Sequence, residues 1–193
     1  MEIKQLFSFL SFIHAFEKID RQYTRVGEDR QENDAEHSFQ LAMMAWYINE
    51  EEKLGLDTGK LLKYALAHDL VEVYAGDTYA HTTDKEEKDT KHQRELEAAQ
   101  RIKKEFPEFA ELHPIIEAYE ARENEEAKFV YALDKILPPM TISMDGGKSW
   151  KKLGVTLEMV KEYKKDKVKE SPVIEKYYKE IMKILEGKPE VFG

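Results

Sequence analysis

Leu61-Leu62-Lys63-Tyr64-Ala65-Leu66-Ala67-His68-Asp69-Leu70 is an apolar helical run that ends on an adjacent histidine and aspartate. An ionised carboxylate held away from water is costly unless it is paired or bound to a metal. Neutral imidazole and carboxylate together suit a borderline or hard divalent cation. Adjacent helical residues point about 100° apart, so His68 and Asp69 can approach one ion from neighbouring edges. Alone, such a pair is equally the ordinary decoration of a helix surface.

Three further features lie outward from it. Upstream, Asn33-Asp34-Ala35-Glu36-His37-Ser38 leads from cap-type residues into a second apolar helix. Glu72 follows His68 by one turn. Far downstream, Asp134 sits inside the apolar run Phe129-Val130-Tyr131-Ala132-Leu133-Asp134-Lys135-Ile136-Leu137. In order, His37, His68, Asp69 and Asp134 offer two nitrogens and two carboxylates to one ion, separated by 31 and 65 residues of chain. Those spacings suit helices joined by modest loops. The chain has no cysteine, so any metal must be held by His, Asp and Glu.

At these residues the chain resembles the HD-domain metal-dependent phosphohydrolases, whose His…His-Asp…Asp order is met by His37, His68-Asp69 and Asp134. Ala35-Glu36-His37-Ser38, with the run His68-Asp69, Glu72 and Gly76-Asp77, looks closer still to the branch of bacterial 5′-deoxynucleotidases and their eukaryotic relatives. The resemblance covers roughly residues 5–140. It implies a phosphomonoester substrate, a deoxyribonucleoside 5′-monophosphate, cleaved to nucleoside and inorganic phosphate. In that branch an arginine ahead of the first ligand, followed closely by an aromatic, contacts the nucleotide; Arg21 and Tyr23 fall nearest that place. Asp77 would meet the sugar hydroxyl. The ligand chemistry by itself admits one Mn2+, Co2+, Zn2+, Fe2+, Ni2+ or Mg2+. A carboxylate near a metal but not on it can move a proton to or from the reacting oxygens; Glu72 is the candidate, against its reading as an exposed helix charge. Glu36 reads as a structural cap carboxylate.

Other classes stay open. The same ligand set serves an HD-family phosphohydrolase acting on a nucleoside triphosphate or a pyrophosphate link, or a binding module with a structural metal. A net charge of −9 and a pI near 5.3 argue against a nucleic-acid polymer as partner. A small phosphorylated substrate, a nucleotide, remains compatible because a local cation overrides the global sign. No apolar run reaches the ~18 residues that span a bilayer. The start has no basic n-region or cleavage site, and the reading is a cytoplasmic protein with no membrane contact.

The expected fold is all-α, a single compact HD-type bundle over 1–193 with about six to eight helices. Its core spans about 5–140, with C-terminal helices over about 155–187 packed on it or at a homodimer interface. The first helix is expected over Ile3–Ile19 with Leu6, Phe9, Leu10, Ile13 and Phe16 buried. Residues 20–33 read as a polar loop. A helix from Ala35 to about Leu54 carries a broad apolar face of Phe39, Met43 and Trp46 with Leu41, Ala42 and Ile48 nearby, and another runs from Asp57-Thr58 to about Tyr74. The polar stretch 79–93, capped at Thr82-Thr83-Asp84, reads as a lid or an ordinary loop. A long charged helix, Glu86 to Phe106, follows, and His113-Pro114 reads as a break. The Asp134 helix is expected to stop at Pro138-Pro139. Trp150 reads as an interface residue, and the stripes Leu157, Val160, Tyr163 and Ile174, Tyr177, Ile181, Ile184 as core or dimer surface. His14, His81 and His92 read as surface or boundary residues.

Overall fold

Several of the long helices start where a side chain can accept the first free N–H groups. Asn33 caps α2 (Asp34–Glu51) by accepting from the Glu36 N–H at 2.9 Å, and Glu36 returns the bond. Asp57 caps α3 (Thr58–Ala67), Asn124 caps α7 (Glu125–Met144) and Thr156 caps α9 (Leu157–Lys164) in the same way. The remaining helices are α1 (Ile3–Phe16), α4 (Glu72–Ala75), α5 (Lys85–Glu105), α6 (Leu112–Glu120), α8 (Lys148–Leu153) and α10 (Pro172–Glu186). Pro114 falls in the first turn of α6, where a missing N–H is harmless, so the break lies before it, at Phe106–Glu111. The computed structural model describes residues 1–79, 82 and 84–193, with the backbone alone at 87 and 88. His81 and Thr83 therefore lie outside the described residues.

Two buried apolar clusters hold the elements together. The larger joins α2, α3, α6, α7 and the C-terminal helices through Leu41, Leu61, Phe129, Leu133, Ile136 and Ile174. The smaller joins α1, α5, α6 and the segment after α3 through Phe12, Phe16, Leu70, Ile102, Phe106 and Ile116. His68 and Asp69 follow Ala67 directly and so sit in the seam between the two. The C-terminal helices belong to the larger cluster, burying Val160, Val168, Ile174, Tyr178 and Leu185.

Several expectations are corrected. Residues 20–33 form an antiparallel hairpin, β1 (Asp20–Thr24) and β2 (Gln31–Asn33), with Asp20 opposite Asn33 and an irregular register between them. Alternation along β1 turns Arg21 and Tyr23 to one side. The segment is too short and too polar to show a strand pattern in sequence. The helix expected through Tyr74 ends at Ala67, and i to i+3 bonds at Leu70→Ala67 and Glu72→Asp69 wind His68–Val71 more tightly. The α7 helix continues through Pro138 and Pro139. Neither proline can donate to the carbonyls of Asp134 or Lys135, but buried Ile136, Leu137, Thr141 and Ile142 anchor both sides. In α1 the buried residues are Phe12 and Phe16, while Leu6 and Leu10 face outward; in α2, Leu41, Ala42, Ala45 and Ile48 face α3 and α7, leaving Phe39, Met43 and Trp46 exposed. Trp150 is buried and stacks on Phe192 with ring centroids 4.9 Å apart, so it serves the interior.

The turn after α7 depends on one glycine. Gly147 has φ +74°, and a Cβ there would lie 1.9 Å from the Val191 carbonyl oxygen; Gly146 has φ +67° with open space around it. Gly146→Ala is expected to lose only the left-handed backbone term, roughly 1–2 kcal/mol. Gly147→Ala adds a backbone clash with the C-terminal segment, so its urea midpoint should fall clearly below that of Gly146→Ala; equal midpoints would refute this packing.

Candidate active site

The residues of the cluster arrive from five parts of the fold. His37 and Asp34 come from the first turn of α2, His68 and Asp69 from the tight turn after α3, and Glu72 from α4. Asp134 comes from mid-α7, and Arg21, Tyr23 and Glu32 from the inward side of the hairpin. The hairpin is itself tied to α8, because the Thr24 N–H donates to Ser149 Oγ at 2.8 Å.

The two imidazole rings are 5.5 Å apart, centroid to centroid. His37, His68 and Asp69 each offer an atom within 4.8 Å of the others. Asp134 Oδ1 is 2.9 Å from His37 Nε2 and 3.9 Å from His68 Nε2. Ligands held about 2.1 Å from one ion lie about 3 to 4 Å from one another, so these separations match a shared coordination shell. The ring orientations agree. His68 Nδ1 is 2.9 Å from the Ala65 carbonyl, which can only accept, so Nδ1 carries the hydrogen and Nε2 faces inward. That Nε2 lies 2.9 Å from Asp69 Oδ2, yet it is buried and makes no hydrogen bond. An inward lone pair beside a carboxylate, off any hydrogen-bond axis, fits a cation between them. Burial pushes the His68 imidazole down, but Asp69 and Asp134 outweigh it and hold the pKa above its usual value. The pocket thus favours positive charge at this nitrogen.

Behind His37 stands a buried network. Tyr23 Oη donates to Glu32 Oε1 at 2.7 Å and lies 3.3 Å from His37 Nδ1, while Gln40 Nε2 donates to Glu32 Oε2 at 2.7 Å. Burial raises the Glu32 carboxyl, but hydrogen bonds from His37, Tyr23 and Gln40 win and hold its pKa below the usual range. A second acidic group, Asp34, Asp69 and Glu72, shares Asp69 with the first and also lies within 4.8 Å. Arg21 Nη1 spans it, donating to Asp34 Oδ1 at 2.9 Å and Asp69 Oδ2 at 2.8 Å. Burial, then Asp69, Asp34 and Asp77, push the Glu72 carboxyl well above its ordinary value.

A model of the HD domain matches residues 16–175. The chain belongs to the HD-domain family. Among its relatives, human 5'-deoxynucleotidase HDDC2 is 32% identical over 137 residues, 68% of this chain. The mouse protein of the same name is 33% identical over 135 residues, 67% of this chain. Each match spans 64% of the relative's length. A crystal structure of a predicted metal-dependent phosphohydrolase from Magnetospirillum magnetotacticum superposes with a TM-score of 0.81 at 30% identity, covering 98% of this chain and 99% of that one. In this HD domain the cleft at the cluster is lined by Arg21, Tyr23, Asp69, Glu72, Asp77 and Asp134. All the sequence-predicted site residues except His37 and His68 therefore reach its wall, and those two lie directly behind it. Tyr23 contributes its ring, since its hydroxyl is committed to Glu32.

Sequence reasoning missed Glu32, Asp34, Lys91, Tyr163 and Lys164. Asp34 read as a helix cap, but Asn33 does that work and Asp34 is fully buried at the cluster. Burial and Asp69 push its carboxyl up to about 6. Tyr163 read as core or dimer surface and instead lines the cleft. Glu36 is structural, as expected, paired to Arg30 beside its cap. His14 is exposed beside Glu17, and His92 is exposed.

A divalent cation seated here should stabilise the folded chain. Adding Mn2+ to chelator-treated protein at about a hundredfold excess over Kd should add about 2.7 kcal/mol, several degrees in Tm. In His68→Ala the shift should largely vanish; an unchanged Mn2+ response in that variant would place the ion elsewhere.

Proposed function

We propose that this protein is a metal-dependent phosphomonoesterase that removes the 5′-phosphate from deoxyribonucleoside monophosphates. The observation that carries the reading is the convergence of His37, His68, Asp69 and Asp134 beside the buried carboxyl of Glu72 at one cleft. The relatives' names point the same way. In this reading the four side chains hold one divalent cation, which when bound supplies a Lewis acid and a nearby water of lowered pKa.

The chain's own groups do the rest. Arg21 offers guanidinium N–H groups to the phosphate. The oxygen of water bonds to phosphorus as the P–O5′ bond breaks. Glu72 donates its proton to the departing O5′, giving nucleoside and inorganic phosphate. Tyr23 and Glu32 fix the His37 ring. Asp77 and Tyr23 line the cleft; in this reading Asp77 meets the sugar hydroxyl and the Tyr23 ring borders the nucleotide. The chain acts as one HD-type domain. Its homodimer contact, in this reading, uses the exposed apolar residues Phe39, Met43, Trp46 and Tyr47 of α2 rather than the C-terminal helices, which are already spent on the core. Among the described residues no helix is long and apolar enough to cross a membrane.

The test is phosphate release from a panel of nucleoside mono- and triphosphates with Mn2+, Co2+ or Mg2+. Deoxyribonucleoside monophosphates should react fastest. Glu72→Ala should lower kcat by about a hundredfold or more while the ion is retained. Asp77→Ala should narrow the preference for deoxyribose over ribose. Release from triphosphates alone would reassign the substrate, and metal retention with no turnover on any of them would favour a binding module. Light scattering checks the dimer: Trp46→Glu should shift it to monomer.

A further inference from the structure

The cleft is lined by lysines as well as by carboxylates. Lys91 from α5, Lys135 from α7 and Lys164 from α9 all line it, with Lys167 just behind. Most of the cationic groups are already answered. Arg21 holds Asp34 and Asp69, Lys135 holds Asp134 Oδ2, and Lys91 lies 3.2 Å from Glu95 Oε1. Lys167 lies over the Tyr163 ring, 3.1 Å from its centroid.

Lys164 is different. It is only 5% exposed and lines the cleft, and among the described residues no carboxylate lies within ion-pair distance of it, although Asp134 still acts on it through space. Its ammonium lies 5.5 Å from the Tyr163 ring centroid, a cation–π contact that leaves its net charge unneutralised. The cations around it add repulsion: burial, then Lys135 and Lys167, bring its pKa down to about 7. A largely buried ammonium with no counter-ion gains from an anion that joins it. Lys164 lines the cleft, so such an anion belongs there. The carboxylates of the cleft would repel a dianion, which makes a cation committed to none of them the group best able to receive one.

We propose that Lys164 is an anion-binding residue of the cleft that receives a phosphate group, both on the substrate and as released orthophosphate. This deepens the phosphohydrolase reading and rests on it for the identity of the anion. An ammonium presents donors to phosphate oxygens as a compact point charge. The fold thus brings a residue from beyond the last motif position, Asp134, to the cleft that the motif residues line.

Two variants and one chemical probe test it, on the full chain loaded with Mn2+. Lys164→Met keeps the buried stem and removes the charge; Lys164→Arg keeps the charge. Lys164→Met should weaken orthophosphate binding about ten- to a hundredfold by calorimetry and raise KM for a monophosphate. Binding of the dephosphorylated nucleoside and the Mn2+ content should stay as in wild type, and Lys164→Arg should recover most of the phosphate affinity. Unchanged orthophosphate binding in a folded Lys164→Met protein overturns the proposal. Should that variant fail to fold, the wild type decides. Orthophosphate should protect Lys164 from acetylation while leaving exposed Lys165 reactive, and equal labelling of Lys164 with and without phosphate overturns it. Neither readout needs turnover. Orthophosphate held by Lys164 in a protein that hydrolyses no phosphomonoester would sink the phosphohydrolase reading and leave this one standing.

Discussion

The structure depends on how negative charge is tolerated in its interior. Glu32, Asp34, Glu72 and Asp134 are all buried, close to two apolar clusters. Uncompensated, each would cost several kcal/mol, and the group would neutralise or the segment would open. Each meets a different response: Glu32 takes hydrogen bonds from Tyr23 and Gln40, Asp34 takes Arg21, Asp134 takes His37 and Lys135, and the Glu72 carboxyl is pushed well above its ordinary value. The responses come from elements far apart in the chain, so electrostatics ties the hairpin, α2, the tight turn and α7 into one body. Among the described residues His68 Nε2, Arg21 Nε, Asp34 Oδ2 and Glu72 Oε2 are left short of a hydrogen-bond partner. Orphaned groups of both kinds around His37, His68 and Asp69 are the setting of a candidate metal site.

Two departures from regular helix make that geometry possible. A continuous helix through Tyr74 would spread His68, Asp69 and Glu72 at 3.6 residues per turn. The i to i+3 bonding after Ala67 instead draws Asp69 and Glu72 close enough to share the second acidic cluster with Asp34. In α7, consecutive prolines remove donors from the carbonyls of Asp134 and Lys135, in the same turn that supplies a carboxylate and an ammonium to the cleft. Both irregularities are held by buried neighbours, Leu70 and Val71 in one case and Ile136 and Leu137 in the other. Packing therefore stabilises backbone arrangements that local propensity would not choose.

Much of this was legible in sequence, for identifiable reasons. Helical class follows from apolar periodicity and cap residues, and Asn33, Asp57, Asn124 and Thr156 all act as caps. His37, His68-Asp69 and Asp134 stood out because ionisable groups inside apolar runs need a chemical justification. The remainder was hidden by the same logic. Glu32 and Asp34 lie in a polar stretch, where a carboxylate looks solvated until a hairpin folds it inward. Phe39, Met43 and Trp46 share a face by periodicity, but Leu41, Ala45 and Ile48 share another, and only the positions of α3 and α7 decide between them. Pro138-Pro139 was misleading because the rule against internal proline is a cost of about 3 kcal/mol, not a prohibition, and burial on both sides exceeds it.

Lys164 shows the limit most clearly. In sequence it is one lysine in the run Tyr163-Lys164-Lys165-Asp166-Lys167, indistinguishable from solvated helix charge. In the structure Lys165 is about half exposed at its side chain while Lys164 is buried, because the two point roughly 100° apart on α9. The division of labour that results is physical. Motif-bearing elements concentrate carboxylates and imidazoles, which favour a cation, whereas the C-terminal helices contribute positive charge, which favours an anion. A phosphate ester cleaved with the help of a metal needs both, since the ion and the dianion must approach within a few ångström of the same carboxylates. The net charge of −9 disfavours contact with polyanions over the surface at large, while lysines line the cleft. A chain cut back to its motif region would keep His37, His68, Asp69 and Asp134, with Lys91 and Lys135, and would lose Lys164.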